Sequence, residues 1–209
     1  MKRYLLAVAI LGALAGPAHA QTPPVTIAQK LDTPQTRVYV ATLTPHAPVV
    51  SKAGHATDRV LIYMDDGSMK MTENGASTTN TFKRGDVRWR PASGPYTAEN
   101  LGDTPIRILE IDLKGAPSGP LPKTDLDPVA VDPQHYKVEF ENASVRVLRV
   151  TFGPGDKGAR HEHILNRVVF YLNDQTNAKA DDVRISGAAT HTEANEGSQT
   201  AYRIAVEMK

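Results

Sequence analysis

The sequence contains the stretch Arg37-Val-Tyr-Val-Ala-Thr-Leu-Thr-Pro45, and its second half contains the related stretch Arg146-Val-Leu-Arg-Val-Thr-Phe-Gly-Pro154. The segments Arg59–Asp66 and Arg167–Asp174 are also similar to one another, and each copy ends on a lysine. Two copies are too few for a solenoid, so this pattern predicts a tandem duplication of one small β domain.

Both copies carry short apolar segments rich in Val, Ile, Leu and Tyr, separated by Gly, Pro, Asn and Asp. Segments of this length and composition are typical of β-strands, and no segment after residue 20 has a sustained helical period. The predicted strands include Val38–Leu43, Val60–Met64, Ile106–Leu113, Val145–Phe152, Val168–Leu172 and Tyr202–Met208. We therefore predict an all-β fold, with a sandwich or barrel in each half.

The amino terminus has the features of a secretory signal peptide. Lys2 and Arg3 give a positively charged start, Leu5–Ala15 is an apolar run too short to span a bilayer, and Ala18-His19-Ala20 matches a cleavage site. We therefore predict that residues 1–20 are removed and that the mature protein works in the periplasm or outside the cell.

After the signal peptide we predict two β domains joined by a linker. The first domain covers residues 21–114, the linker residues 115–135 and the second domain residues 136–209. Because the linker is rich in proline, we expect an extended connector that is neither a helix nor an inner strand. The sequence leaves open whether this connector is free or lies along one of the domains.

The two copies differ in length between their repeated segments. From Asp66 to Gly85 the first copy has room for a hairpin of Met69–Thr72 and Thr79–Phe82 around the turn Asn74-Gly75. The second copy has only a short loop at the same place. We therefore expect the second barrel to be shortened by one hairpin, which leaves its cavity more open.

Charge and cysteine content exclude several classes of function. Removing Lys2 and Arg3 from the 24 basic residues leaves 22 against 23 acidic ones, and no long basic run exists, so nucleic acid and anionic membranes are not expected partners. The chain has no cysteine, which excludes disulfides, thiolate metal sites and iron–sulfur clusters. Any metal must therefore be held by imidazole, carboxylate or water.

Histidines that could bind a metal are clustered in the second copy. His161 and His163 are two residues apart at the start of a predicted strand, so both can face the same side, and His191 follows about thirty residues later. In a small barrel these positions can lie on neighbouring strands. Three neutral imidazoles with an open position suit a divalent transition metal, such as iron, manganese or zinc.

The first copy lacks this cluster. Its equivalent residues are Ala53, His55 and Tyr96, which predicts that its metal site is degenerate. We expect His55 to be a hydrogen-bonded interior or rim residue rather than a ligand. Trp89 is most simply a core or cavity-wall residue.

These motifs resemble those of the cupin superfamily. Gly155-Asp-Lys-Gly-Ala-Arg-His161-Glu-His163 follows the family's first motif up to its acidic residue, and His191-Thr-Glu-Ala-Asn195 matches the end of its second. In the first copy, Gly85–Asn100 is similar to the second motif, with Tyr96 in place of the histidine. The resemblance covers nearly all of the mature chain. It implies two tandem jelly-roll barrels, with the three histidines of the second barrel as metal ligands.

The sequence departs from the family pattern at one ligand. Where the family has a glutamate ligand, this chain has Arg167 or Val168, so either three histidines hold the metal or they only line a polar cavity. Because Arg59 stands at the position of the first copy that matches Arg167, we interpret Arg167 as a structural residue. Glu193 and Glu99 are carboxylates that could act as an acid or base near a pocket.

Three classes of function stay open at this point. The first is a metal-dependent enzyme that acts on a small organic molecule. The second is a non-catalytic protein that binds a small molecule in one barrel. The third is a degenerate structural or interaction protein that forms a complex, such as a homodimer, through its sheets. A fold of this kind hosts many functions, so the fold alone does not decide between them.

Overall fold

The computed structural model describes residues 22–115 and 123–209, and the predicted signal peptide lies outside them. The first half forms β1 (Val25–Asp32), β2 (Thr36–Leu43), β3 (Val49–Ser51), β4 (Arg59–Tyr63), β5 (Gly67–Glu73), β6 (Ala76–Phe82), β7 (Val87–Arg90), β8 (Tyr96–Asn100) and β9 (Ile106–Leu113). The second half forms α1 (Pro128–Val131), β10 (Tyr136–Glu141), β11 (Val145–Phe152), β12 (His161–His163), β13 (Arg167–Tyr171), β14 (Val183–Ser186), β15 (Ala189–His191) and β16 (Ala201–Met208). The fold is all-β, as the sequence predicts.

The duplication seen in the sequence is also present in the sheet topology. The first half forms a five-stranded antiparallel sheet in the order β1-β2-β9-β4-β7, and the second half repeats it as β10-β11-β16-β13-β14. Arg37 lies opposite Asp112 on the first sheet, and Arg146 lies opposite Glu207 on the second. This register makes Asp112 and Glu207 equivalent residues.

The central strands are buried on both faces, which explains their nearly continuous apolar sequences. In β2, Val38 and Val40 point to one side, where they pack in a core that also contains Val147 and Phe170 of the second half. Tyr39 points to the other side, into the core between the first half's own two sheets. The two large sheets therefore pack face to face, and each carries a smaller sheet on its outer face.

The predicted hairpin is confirmed, because β5 and β6 pair around the turn at Asn74-Gly75. Both turn residues have positive φ, 50° for Asn74 and 78° for Gly75, as a tight hairpin turn requires. The smaller sheet of the first half has four strands, β3-β8-β5-β6, whereas that of the second half contains only β12 and β15. The second half is thus shortened by this hairpin, as expected.

One prediction about the linker is wrong, because residues 128–131 form a one-turn helix. Pro128 occupies the first turn, where a missing N–H costs nothing, and the Asp127 side chain accepts a hydrogen bond from the Val129 N–H. The described part of the linker also lies along the second half, since the Glu162 N–H donates to the Leu126 carbonyl. Among the described residues, no helix is both long and apolar enough to cross a membrane.

Candidate metal centre

The three histidines singled out in the sequence lie together in the second half. β12 pairs with β15 so that His161 lies directly opposite His191, and the strand alternation points His163 to the same side as His161. One nitrogen from each ring lies within 4.8 Å of the others, and the Nε2 atoms of His161 and His191 are 2.8 Å apart. The strand spacing predicted in the sequence thus brings these three rings to one place.

Hydrogen bonds fix which ring nitrogen is free on two of these histidines. His161 Nδ1 lies 2.9 Å from the Ala159 carbonyl oxygen, which can only accept, so Nδ1 carries the proton. His163 Nδ1 lies 2.8 Å from Glu207 Oε1 and donates its hydrogen to this ionised carboxylate, so Nδ1 carries the proton here as well. Both arrangements leave the Nε2 lone pair available, which is the tautomer that a metal ligand needs.

The carboxylate behind His163 is itself held in place. Glu207 is fully buried, and its second oxygen accepts a hydrogen bond of 2.7 Å from Arg146 Nε. Burial alone favours the neutral acid, but the hydrogen bonds from His163 and Arg146 outweigh it and lower the pKa of Glu207. Glu207 therefore stays ionised and holds the His163 ring in one orientation.

Two of the three imidazoles are held in the neutral form by their surroundings. His161 and His163 are buried and His191 is half-buried. Burial, and then the neighbouring imidazoles, lower the pKa of His191 to about 4. Burial likewise lowers the pKa of His163. Neutral imidazole is the form that binds metal ions, so His163 and His191 are ready to act as ligands near neutral pH.

A cavity of about 120 Å³ lies beside the three-histidine cluster. His163 and His191 line it, together with Arg167, Arg203 and Glu193. Glu193 forms an ion pair with Arg203 and accepts a 2.9 Å hydrogen bond from the Tyr136 hydroxyl. Glu193, one of two candidate acids or bases, therefore lines the cavity but is already paired. The other candidate, Glu99, lies on β8 of the first half.

Arg167 has a different environment from its counterpart in the first half. Arg59 lies 3.2 Å from Glu110, but the register of the two sheets puts Ala205 at the position equivalent to Glu110. Arg167 donates to the Gly187 carbonyl at 2.8 Å and forms no ion pair among the described residues. The interpretation of this arginine as purely structural is therefore incomplete, because Arg167 also brings an unpaired charge to the cavity.

A second group that could hold a metal, His55, Glu110 and Asp112, lies in the first half. His55 Nε2 is 2.8 Å from Asp112, as expected for a hydrogen-bonded interior histidine. Asp112 also accepts a 2.7 Å hydrogen bond from Arg37, and Glu110 pairs with Arg59. Because these carboxylates already face cationic partners, we interpret the group as an ion-pair network that parallels Arg146, Glu207 and His163.

The asparagine of the second motif is structural in both halves. Asn195 donates to the carbonyls of Phe152 and Gln199, at 2.9 and 2.8 Å. Asn100 makes the same pair of bonds to Leu43 and Thr104. Each asparagine thus anchors its loop to the end of a long strand, whether or not the half contains the histidine cluster.

Comparison with known proteins supports the fold. No known family model matches this sequence, and no curated protein matches it. Among solved structures, a cupin 2 conserved barrel domain protein from Leptotrichia buccalis is similar with a TM-score of 0.60 and 12% identity, covering 92% of both chains. AerE from Microcystis aeruginosa is similar with a TM-score of 0.65 and 12% identity, over 90% of this chain and 94% of that one.

An oxalate decarboxylase from Bacillus subtilis is also similar, with a TM-score of 0.58 and 12% identity over 90% of this chain and 78% of that one. At such low identity these matches demonstrate a shared fold and nothing more. The chain therefore has an all-β, cupin-like jelly-roll fold, in agreement with the resemblance seen in its motifs.

Sequence reasoning missed two residues of this region. Glu207 comes two residues before the last lysine, as Asp112 does in the first copy, so the repeat alignment contains a signal for it. Arg203 takes the place of the apolar Ile108 of the first half, as the same alignment indicates. When one copy of a repeat has a charged residue where the other copy has a buried apolar residue, this difference indicates a polar cavity in the first of them.

Proposed function

We propose that this protein is an exported, two-domain cupin-type protein whose second domain binds one divalent transition metal ion, namely iron, manganese or zinc. We further propose that it binds a small organic acid in the adjacent cavity. The ligands of the metal would be His161, His163 and His191. The observation that carries this proposal is the pair of hydrogen bonds on Nδ1, which leaves Nε2 unprotonated on two rings that face the third.

The donor set fits such an ion. With metal–nitrogen bonds of about 2.1 Å, two nitrogens at right angles around an ion lie about 3.0 Å apart. The 2.8 Å between the Nε2 atoms of His161 and His191 is close to this value. Glu207 behind His163 resembles the carboxylates that orient metal-binding histidines in other proteins. Fixed tautomers of this kind favour histidines that bind a metal ion over histidines that only line a polar cavity.

The charge of the cavity supports an anionic ligand. Arg167 is buried and lies in a half where Ala205 has replaced the acidic partner of Arg59. Glu207, the carboxylate whose charge acts on Arg167, already accepts hydrogen bonds from two other side chains and makes no direct ion pair with Arg167. A buried cation so weakly compensated is costly, and a carboxylate that enters the cavity would relieve this cost. The small volume limits the ligand to a few heavy atoms, such as a short carboxylic acid.

The chain's own residues would bind, orient and shield this acid. Arg167 would hold the carboxylate, while Val169 and Ala205 supply apolar walls that restrict water. A bound divalent ion would supply Lewis-acid polarisation of the ligand's oxygen. A similar structure, the Bacillus subtilis oxalate decarboxylase, is described as having Mn(II) centres, so manganese is the first metal to test.

The test is metal binding by the full exported protein, stripped with chelator and reloaded with Mn(II) or Zn(II). We expect about one ion per chain in the wild type and a loss of most of it in His191→Ala. His55→Ala is the matched control, because it also removes one partly buried imidazole but lies in the first half, where its Nε2 is 2.8 Å from Asp112. A wild-type protein that takes up neither metal, or an equal loss in both variants, would refute the metal site.

A non-catalytic binding protein is the second candidate. The observation that favours it is the pairing of Glu193 with Arg203 and Tyr136, which leaves this cavity carboxylate engaged rather than free to move a proton. In that case a carboxylic acid would bind to the metal-loaded protein and be recovered unchanged. If nuclear magnetic resonance detects conversion of the bound acid into a product, this candidate is excluded.

A further inference from the structure

We propose that the first half contains a second, independent binding site for a small monocarboxylic acid with an apolar body, such as an aromatic or short aliphatic acid. The site is a cavity of about 140 Å³ between the five-stranded sheet and the four-stranded sheet of this half. It is separate from the three-histidine cluster, which lies in the other half of the chain. The proposal therefore does not depend on the proposed metal site.

The walls of this cavity are mainly apolar. Leu43, Leu61, Met69, Met71 and Ile108 line it and belong to the core between the two sheets. An apolar cavity of roughly 150 Å³ can hold a molecule the size of benzene, so this cavity has room for one six-membered ring or a short chain. Its walls would stabilise the apolar part of a ligand.

One end of the cavity is cationic. Arg59 and Arg90 are directly opposite each other on β4 and β7, so both guanidinium groups lie on the same face of the sheet. Both residues line the cavity, and Arg59 is only 3% exposed. Two arginines side by side need anionic partners, and Glu73 and Glu110 supply one each.

The two glutamates do not accept hydrogen bonds from all the donor groups of the two arginines. Among the described residues, Arg59 Nη1 and Arg90 Nε are buried without a hydrogen-bond partner. Arg59 Nε lies 3.2 Å from Glu110, but the geometry is that of an ion pair without an aligned hydrogen bond. Burial also raises the pKa of Glu110, which weakens it as a counter-charge. A ligand carboxylate would accept from the free donors of both arginines.

The cavity also has an opening to solvent. Ile27 of β1 lines the cavity and is 58% exposed, and β1 is an edge strand of the large sheet. A ligand can thus reach the apolar walls from this edge, with its carboxylate at the arginine end. Water could satisfy the arginines, but it would gain nothing from the apolar walls, so the combination of walls and donors selects an amphipathic acid.

The test is calorimetric titration of the full chain with benzoate and hexanoate, with benzyl alcohol as the uncharged analogue. Ligands this small bind at about micromolar to millimolar concentrations. We expect benzoate to bind at least about tenfold more tightly than benzyl alcohol, and Arg90→Gln to weaken benzoate by about tenfold or more. Ala98→Leu, which fills the cavity, should abolish binding while the melting temperature stays the same or rises.

Arg167→Met is the matched control, because it removes the cationic residue of the other cavity. Binding of benzoate that survives in Arg167→Met and is lost in Arg90→Gln supports the site in the first half. Three results would overturn it: no binding of either acid to the wild type, equal binding of benzoate and benzyl alcohol, or loss of benzoate binding in Arg167→Met alone. In the last case the acid belongs to the cavity beside the histidines, which supports the proposed function instead.

Discussion

Replacement of Glu207 by glutamine tests whether the buried carboxylate prepares His163 as a ligand. Glutamine keeps the shape of the side chain but removes the charge that accepts from both His163, at 2.8 Å, and Arg146, at 2.7 Å. Loss of a carboxylate that orients a metal-binding histidine lowers metal affinity by about 10- to 100-fold. This corresponds to about 1.4 to 2.7 kcal/mol of binding free energy.

The same substitution also lowers stability, so the two effects must be separated. Removal of one partner from a buried ion pair costs about 3 to 5 kcal/mol, and glutamine should cause a loss near the lower limit because it keeps one acceptor oxygen. Arg146 retains an ion pair with Asp127, which limits the loss further. Metal affinity is therefore measured by competition with a chelator at a temperature where urea titration finds both proteins folded.

Asp112→Asn is the control for this experiment. Asp112 is the equivalent residue of the first half, is equally buried, and accepts from His55 and Arg37 in the same way. We expect Asp112→Asn to lower the free energy of unfolding by a similar amount while metal affinity stays within about twofold of the wild type. Equal losses of metal affinity in the two variants, or none in Glu207→Gln, would refute the role assigned to Glu207.

Three further predictions follow from the site and its surroundings. Arg167→Met should weaken carboxylate binding in the second half by about tenfold or more without lowering the melting temperature, because it removes a buried charge that has no direct ion-pair partner among the described residues. A lower melting temperature would contradict this. The pKa of His191 falls from 6.5 to about 4 on folding, so the unfolded chain takes up the proton first and the metal-free protein should lose stability as the pH falls from 6.5 to 4. Urea titrations across this range should find a shallower decline in His191→Gln, and an unchanged slope would exclude His191 as the cause. Asn195→Ala and Asn100→Ala should each cost about 1 to 3 kcal/mol of stability and leave metal content unchanged, whereas loss of metal in the first variant alone would assign Asn195 to the site.

Local sequence patterns were sufficient to predict most of the fold. Short apolar segments bounded by Gly, Pro, Asn and Asp predict the long strands, and Asn74-Gly75 predicts the one hairpin that distinguishes the two halves. The helix at Pro128 departs from the extended connector that the prolines predict, because a proline breaks a helix only beyond its first turn. Asp127 directly before Pro128 is, however, a common start of a helix, since the aspartate caps it and the proline occupies its first turn.

The candidate site could be predicted only in part, for a physical reason. The spacing of His161 and His163 follows from strand geometry, so two of the three rings are predictable from neighbouring residues. Glu207 and Arg203 come from β16, which lies between β11 and β13 in the sheet, and such long-range pairing leaves no local pattern. Comparison of the two copies residue by residue is what supplies the missing information.

The central claim is that three imidazoles from two short strands hold one metal ion. Crystals grown with one equivalent of Zn(II) or Mn(II) and measured at the metal's absorption edge test it most directly. The account predicts one strong anomalous peak about 2.1 Å from a ring nitrogen of each of His161, His163 and His191. A metal peak at any other place, with the Nε2 atoms of His161 and His191 still hydrogen-bonded to each other, would contradict it.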